Sequence, residues 1–82
     1  MVRGRVQGVG FRRFVEREAL ELGLAGWVRN VDDGCVEVLA QGESSKLDGL
    51  QGRLHQGPRW ADVRDVECHE VAETRLNGFR IV

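Results

Sequence analysis

Apolar positions along the chain change their period several times, and each change marks an element. Phe11, Phe14, Val15, Ala19 and Leu22 recur at helical spacing, while Arg12, Arg13, Glu16, Arg17 and Glu21 supply a polar side, with Glu16 and Arg17 on its exposed flank. The pattern predicts a first helix from about Gly10 to Leu22, ended by Gly23 in the position where glycine commonly closes a helix. Gly26-Trp27-Val28-Arg29-Asn30 then has the β-favouring composition of a short strand. Asp32-Asp33-Gly34 predicts a hairpin turn, since an Asp-Gly step tolerates the positive φ that tight turns need. Val36, Val38 and Ala40 alternate with Glu37, Leu39 and Gln41 as the second arm.

Leu47, Leu50 and Leu54 return to helical spacing and predict a second helix from about Ser44 to His55, with Ser44 or Ser45 as N-cap. Gly49 and Gly52 weaken it by about 1 kcal/mol each relative to alanine, so tertiary packing must hold it. Gly57-Pro58 ends it. Val63, Val66, Cys68 and Val71 predict a third long strand, with a bulge where the alternation slips, and Phe79 with Ile81 a short final one. With a strand ahead of the first glycines the order is βαββαβ, with the short final strand closing the chain after it. That is the split βαβ arrangement of an α+β domain, two helices on one face of an antiparallel sheet.

Composition narrows the class. Residues 1–82 make one domain near the small end of what folds without staples. An apolar share of 41% with one proline indicates a packed core, and a net charge of −1 argues against a nucleic-acid or membrane-surface protein. No apolar run approaches the roughly 18–20 residues of a membrane span, and no signal segment opens the chain. Cys35 and Cys68 lie far apart without metal-ligand spacing, which fits two reduced cysteines in a cytoplasmic protein. His55 and His69 stand alone and read as surface residues. Trp27 and Trp60 read as packing or strand-end residues, and Arg13, Arg17 and Arg29 as solvated charges.

The chemistry concentrates in Gly4-Arg5-Val6-Gln7-Gly8-Val9-Gly10-Phe11-Arg12, a glycine loop between a strand and a helix. Glycines let the chain turn and leave backbone N–H groups uncovered, and the first N–H groups of a helix have no internal partner. Such a start attracts phosphate, and Arg12 adds a charged fork that grips two phosphate oxygens. The dinucleotide fingerprint would need glycine where Arg13 stands, and the Walker Gly-Lys-Ser/Thr is absent. Physically the loop remains open between an anion site and a structural turn. Asn30, by itself, is an ordinary turn residue whose carboxamide also donates and accepts hydrogen bonds.

Taken together these segments resemble the acylphosphatase family. Its pattern G-x-V-Q-G-V-x-F-R stands here at Gly4 to Arg12. The pattern A-x-x-x-G-L-x-G-W-V-x-N stands at Ala19 to Asn30, and D-G-x-V-E at Asp33 to Glu37. The likeness continues through Gln41-Gly42, Gly57-Pro58 and Phe79-Arg80-Ile81. The resemblance implies a ferredoxin-like α/β sandwich and hydrolysis of acyl phosphates without metal or cofactor. It implies Arg12 and Asn30 as catalytic residues, Arg12 on the phosphate and Asn30 orienting the attacking water. The backbone N–H groups of Gln7, Gly8, Val9, Gly10, Phe11 and Arg12 would form the phosphate cradle, and the resemblance favours a monomer with a small-molecule substrate. One departure is visible: only Met1-Val2-Arg3 precede the glycine motif, so the first strand is short and loses ladder bonds. Two other readings keep the fold. One is an acylphosphatase-like module of a larger carbamoyl-transfer protein. The other is a ferredoxin-like RNA-binding module, which would need paired strand aromatics and a basic surface that this chain lacks.

Overall fold

The computed structural model describes residues 1–72 and 75–82. The elements follow as β1 (Val2–Arg5), α1 (Phe11–Glu21), β2 (Ala25–Asn30), β3 (Val36–Gln41), α2 (Ser44–Gln56), β4 (Asp62–Val66) and β5 (Phe79–Ile81). The two helices touch each other through Arg53, which donates to Glu18 on α1 at 2.6 Å. They cover one face of a five-stranded sheet ordered β4-β1-β3-β2-β5. This is the split βαβ layering that the periodicities predict and the ferredoxin-like sandwich that the resemblance implies. The core lies between the layers, where Val2, Val28 and Val36 of the sheet meet Phe11, Val15 and Ala19 of α1 and Leu50 and Leu54 of α2.

Local chemistry accounts for the boundaries. α1 ends in two linked bonds, Gly23 N–H to Leu20 C=O at 3.0 Å and Leu24 N–H to Ala19 C=O at 2.9 Å, with Leu24 then buried. This pairing satisfies carbonyls that a helix end otherwise leaves open. The β2–β3 turn uses a single left-handed residue, Gly34 (φ 89°), after a turn in which Gly34 N–H bonds to Val31 C=O at 3.1 Å. The Asp-Gly step thus turns the hairpin as expected, but Asp33 itself keeps a negative φ.

Four sequence expectations need correction. The sheet is mixed, not antiparallel: β5 lies parallel to β2, in the register Gly26↔Phe79 to Val28↔Ile81. A period of two reveals which face a residue takes but not the direction of its neighbour, so the crossing from β4 to the far edge left no trace in the pattern. The third strand stops at Val66. Just past it Glu67 and Met1 exchange two backbone bonds, at 3.0 and 2.9 Å. Cys68 and Val71 are exposed beyond it. The expected bulge is present, with Arg64 left over between the pairs Arg3↔Asp65 and Gly4↔Val63. The N-cap of α2 is Glu43, without a side-chain bond to the helix, and Ser45 turns its hydroxyl back to Glu43 at 3.3 Å. Glu16, placed on the exposed flank, is instead half-buried.

β1 meets β3 only at Val2↔Val36, although it lies between β3 and β4.

Both cysteines are free, Cys35 buried and Cys68 exposed. The Cys35 N–H donates to the Asp33 carboxylate at 3.2 Å. A hydrogen bond from the Cys35 thiol, with this N–H bond, holds the Asp33 carboxyl below its ordinary range. The same carboxylate, with burial, raises the thiol. A raised, shielded thiol is a poor nucleophile near neutral pH. Iodoacetamide at neutral pH is therefore expected to modify Cys68 in the native protein and Cys35 only after unfolding, read by peptide mass. Equal native rates at the two positions would contradict this assignment.

Candidate active site

The chain leaves β1, passes through Val6 to Gly10 and enters α1, and the conformation of this loop rests on two glycines. Gly8 (φ 73°) and Gly10 (φ 78°) are both left-handed, a region that side chains with a Cβ disfavour. Gly10 is the N-cap and offers no side chain to the helix, and the first turn of α1 contains no acidic residue. The first intrahelical bond is Phe14 N–H to Gly10 C=O at 3.0 Å. Among the described residues, no backbone N–H from Gln7 to Arg13 has a protein acceptor.

The charges here run against the helix's own preference. A helix start carries partial positive charge and favours acids nearby. This one carries Arg12 and Arg13 instead, and neither forms an ion pair among the described residues. The arginines that are paired with carboxylates lie elsewhere: Arg3 with Asp65 and Glu67, Arg29 with Glu37, Arg53 with Glu18 and Glu21, Arg64 with Asp62. An uncapped helix start beside two unpaired guanidinium groups has the chemistry that suits an anion.

These residues line a hollow of about 230 Å³ together with Val6, Gly8, Gly10, Phe11, Asn30 and Ile81. Asn30, at the end of β2, brings a second irregularity. Its Oδ1 is buried and has no hydrogen-bond partner. A buried carbonyl oxygen without a donor costs about 1–3 kcal/mol, so such an atom beside Arg12 and the loop suits a water or ligand donor. Arg29 lies on the other face of β2, its guanidinium 5.1 Å above the Trp27 ring and 2.7 Å from Glu37.

Loop and strand end are joined by Gln7. Its side-chain amide donates both hydrogens across to the β2–β3 turn, to Val31 C=O at 2.8 Å and Cys35 C=O at 3.0 Å. Val31 follows Asn30 directly, so one carboxamide ties the glycine loop to the segment that carries Asn30.

Of the residues singled out from sequence, Gly8, Gly10, Phe11, Arg12 and Asn30 line the same hollow. Val9 packs partly into the core and Gln7 spends its side chain on the clamp, leaving their N–H groups as their only contribution to the loop. Arg13, read as a solvated charge, lines the hollow beside Arg12, as do Val6 and Ile81. Only the fold shows that the closing Ile81 reaches this place, through β5 lying beside β2. His55 and His69 are exposed and are not part of the hollow's lining. Among the described residues no group of three or more His, Cys, Asp or Glu side chains could hold a metal ion. No helix among them is long and apolar enough to cross a membrane.

Known proteins share this arrangement over its whole length. The acylphosphatase sequence model matches residues 1–81. An acylphosphatase from Solibacter usitatus (strain Ellin6076) is 59% identical over 80 residues, spanning 98% of this chain and 83% of that protein. The acylphosphatase crystal structure from Bacillus subtilis superposes with a TM-score of 0.94 at 43% identity, covering 99% of this chain and 91% of that one. Full-length HypF, solved in a phosphate- and nucleotide-bound form, contains the same fold (TM-score 0.88, 26% identity). The match covers 99% of this chain but 11% of that one. The glycine loop, the free arginine and the strand-end asparagine thus belong to a chain that is a member of the acylphosphatase family.

Proposed function

We propose that the protein hydrolyses acyl phosphates to a carboxylate and inorganic phosphate, with the phosphoryl group bound in the hollow between Gly8 and Asn30. The observation that carries this reading is the buried, unpartnered Oδ1 of Asn30 in the same hollow as an uncapped helix start and the unpaired Arg12. An acceptor and an anion site side by side suit a water molecule and a phosphoryl group.

The N–H groups of Gln7 through Arg12 and the Arg12 guanidinium take the phosphoryl oxygens, whose charge spreads as the transition state loosens. Asn30 accepts a hydrogen bond from water and holds it in line with phosphorus. Water oxygen bonds to phosphorus, and the bond from phosphorus to the bridging oxygen breaks. The departing carboxylate has a conjugate acid of pKa about 4, so it leaves without a proton. No general acid is needed, which agrees with a site that has neither histidine nor carboxyl in its lining. The carboxamide of Asn30 takes no proton at neutral pH, so the water's proton passes to a phosphoryl oxygen of the substrate. No step requires a metal.

The reading is tested by following benzoyl phosphate hydrolysis by ultraviolet absorbance, with a strong chelator present and inorganic phosphate as competitor. Turnover that persists with chelator and is inhibited by phosphate is expected. Folded protein without turnover, or activity lost to the chelator, would contradict it. Arg12→Ala is expected to lower kcat/KM by about 10³-fold and to abolish phosphate inhibition, with Arg12→Lys restoring only part. Asn30→Ala should lower kcat about 10²-fold while the phosphate inhibition constant stays within about threefold, because it removes the water's acceptor and not the anion site. Full activity in that variant would sink the water-positioning role.

Gln7 positions Asn30 against the loop, so Gln7→Ala should lower kcat about tenfold with a smaller effect on phosphate inhibition. Gln7→Glu, which has lost both donors, should not rescue it. An unchanged kcat in either variant would remove the clamp from the mechanism.

A further inference from the structure

Phosphoryl binding by the loop and Arg12 leaves a second guanidinium in the hollow, that of Arg13, without a role. Arg13 is exposed and forms no ion pair among the described residues. Glu16 stands three residues further along α1, a spacing at which opposite charges commonly meet, and does not hold it. The lining of the hollow contains no carboxylate.

The two arginines serve different sides of the helix start. The buried stripe of α1 is Phe11, Val15 and Ala19, centred on Val15. At about 100° per residue, Arg12 stands roughly 60° from Val15 around the axis and Arg13 roughly 160°. Arg12 therefore leans toward the sheet and Arg13 away from it. Cβ atoms of a helix tilt toward its N-terminus, so a long side chain in the first turn reaches out over the loop. In this way Arg13, on the outer face of α1, still borders the hollow. Asn30 enters from the opposite side. It follows the fully buried Val28 by two residues on β2 and shares the face that the helices cover.

We propose that Arg13 selects acyl phosphates whose acyl group carries a second negative charge, the class formed by phosphorylating one carboxyl of a dicarboxylic acid. The inference rests on the hydrolase reading of this hollow and adds its substrate class. With the attacking water held by Asn30 on the sheet side of phosphorus, in-line displacement points the breaking bond away from the sheet. The acyl group then leaves past the outer side of the helix start, where Arg13 stands. Arg12 and the loop N–H groups already face the phosphoryl oxygens, so a distal carboxylate is the anion left for Arg13 to meet. A guanidinium grips such a group through two parallel hydrogen bonds. The bond changes are those of simple hydrolysis: water oxygen joins phosphorus, and the bridging oxygen leaves with the acyl group as a carboxylate. The products are the dicarboxylate and inorganic phosphate. Arg13 touches neither reacting bond, so its effect falls on KM more than on kcat.

Glutaryl phosphate and pentanoyl phosphate, which differ by a terminal carboxylate in place of a methyl group, form the test pair. Remaining substrate is trapped with hydroxylamine and read as the coloured iron hydroxamate. In the wild-type chain kcat/KM for glutaryl phosphate is expected to exceed that for pentanoyl phosphate about fivefold, mainly through KM. Arg13→Gln should bring this ratio to about one, and Arg13→Lys should keep only part of it, having the charge without the fork. Any loss common to both substrates cancels in the ratio. Arg17→Gln removes the same charge one turn further on, outside the lining of the hollow, and should keep the wild-type ratio. A wild-type ratio near one, or equal falls of the ratio in Arg13→Gln and Arg17→Gln, would overturn the selection by Arg13. So would an Arg13→Gln protein that loses activity on both substrates alike, since Arg13 would then serve the phosphoryl group. Folded wild-type protein that turns over neither substrate would overturn the hydrolase reading itself, and this inference with it.

Discussion

The site depends on a helix start that is left open. Most helices cap their first N–H groups with a side-chain oxygen, but α1 begins at Gly10 in a left-handed conformation and offers none. Its first turn places Arg12 and Arg13 at the positive end of the helix, where they are unfavourable without a negative guest. The surrounding structure keeps this arrangement in place. Phe11, directly after the cap, is fully packed, and Val15 and Ala19 hold α1 to the sheet beneath it. The Gln7 clamp then sets the loop against the turn that follows Asn30. A local cost is thus held by a rigid core, as is common where a protein keeps an electrostatic site ready for its ligand.

Much of the fold was legible because its elements are short and their periods are clean. Phe11, Val15 and Ala19 marked the buried side of α1, and Leu50 and Leu54 that of α2. Slipped alternation between Val63 and Val66 betrayed the Arg64 bulge. Direction and neighbourhood were not legible, because β5 reaches β2 by a crossing that no local pattern encodes. The over-long third strand failed for a related reason. Cys68 and Val71 continue the apolar pattern, but such a pattern does not guarantee a partner, and both lie exposed beyond the end of β4.

At the site, the motif carried Arg12 and the glycines, whose roles are local. Asn30 by itself reads as a turn residue and was singled out only by the family resemblance; the fold adds that its carboxamide lies beside the loop, with an oxygen that has no hydrogen-bond partner. Gln7 was read for its backbone, while its side chain forms the tie between the two halves. Arg13 and Ile81 entered the lining only through three-dimensional placement. The Arg53–Glu18 contact between helices was equally invisible, being a meeting of positions distant in sequence.

The account's central claim is that a water held by Asn30 attacks phosphorus, not the acyl carbon. Hydrolysis of benzoyl phosphate in ¹⁸O-labelled water, with both products analysed by mass spectrometry, tests this most directly. Attack at phosphorus leaves the label in inorganic phosphate and the benzoate unlabelled. Label in the benzoate would mean attack at the carbonyl carbon and would contradict the roles assigned to Arg12 and Asn30.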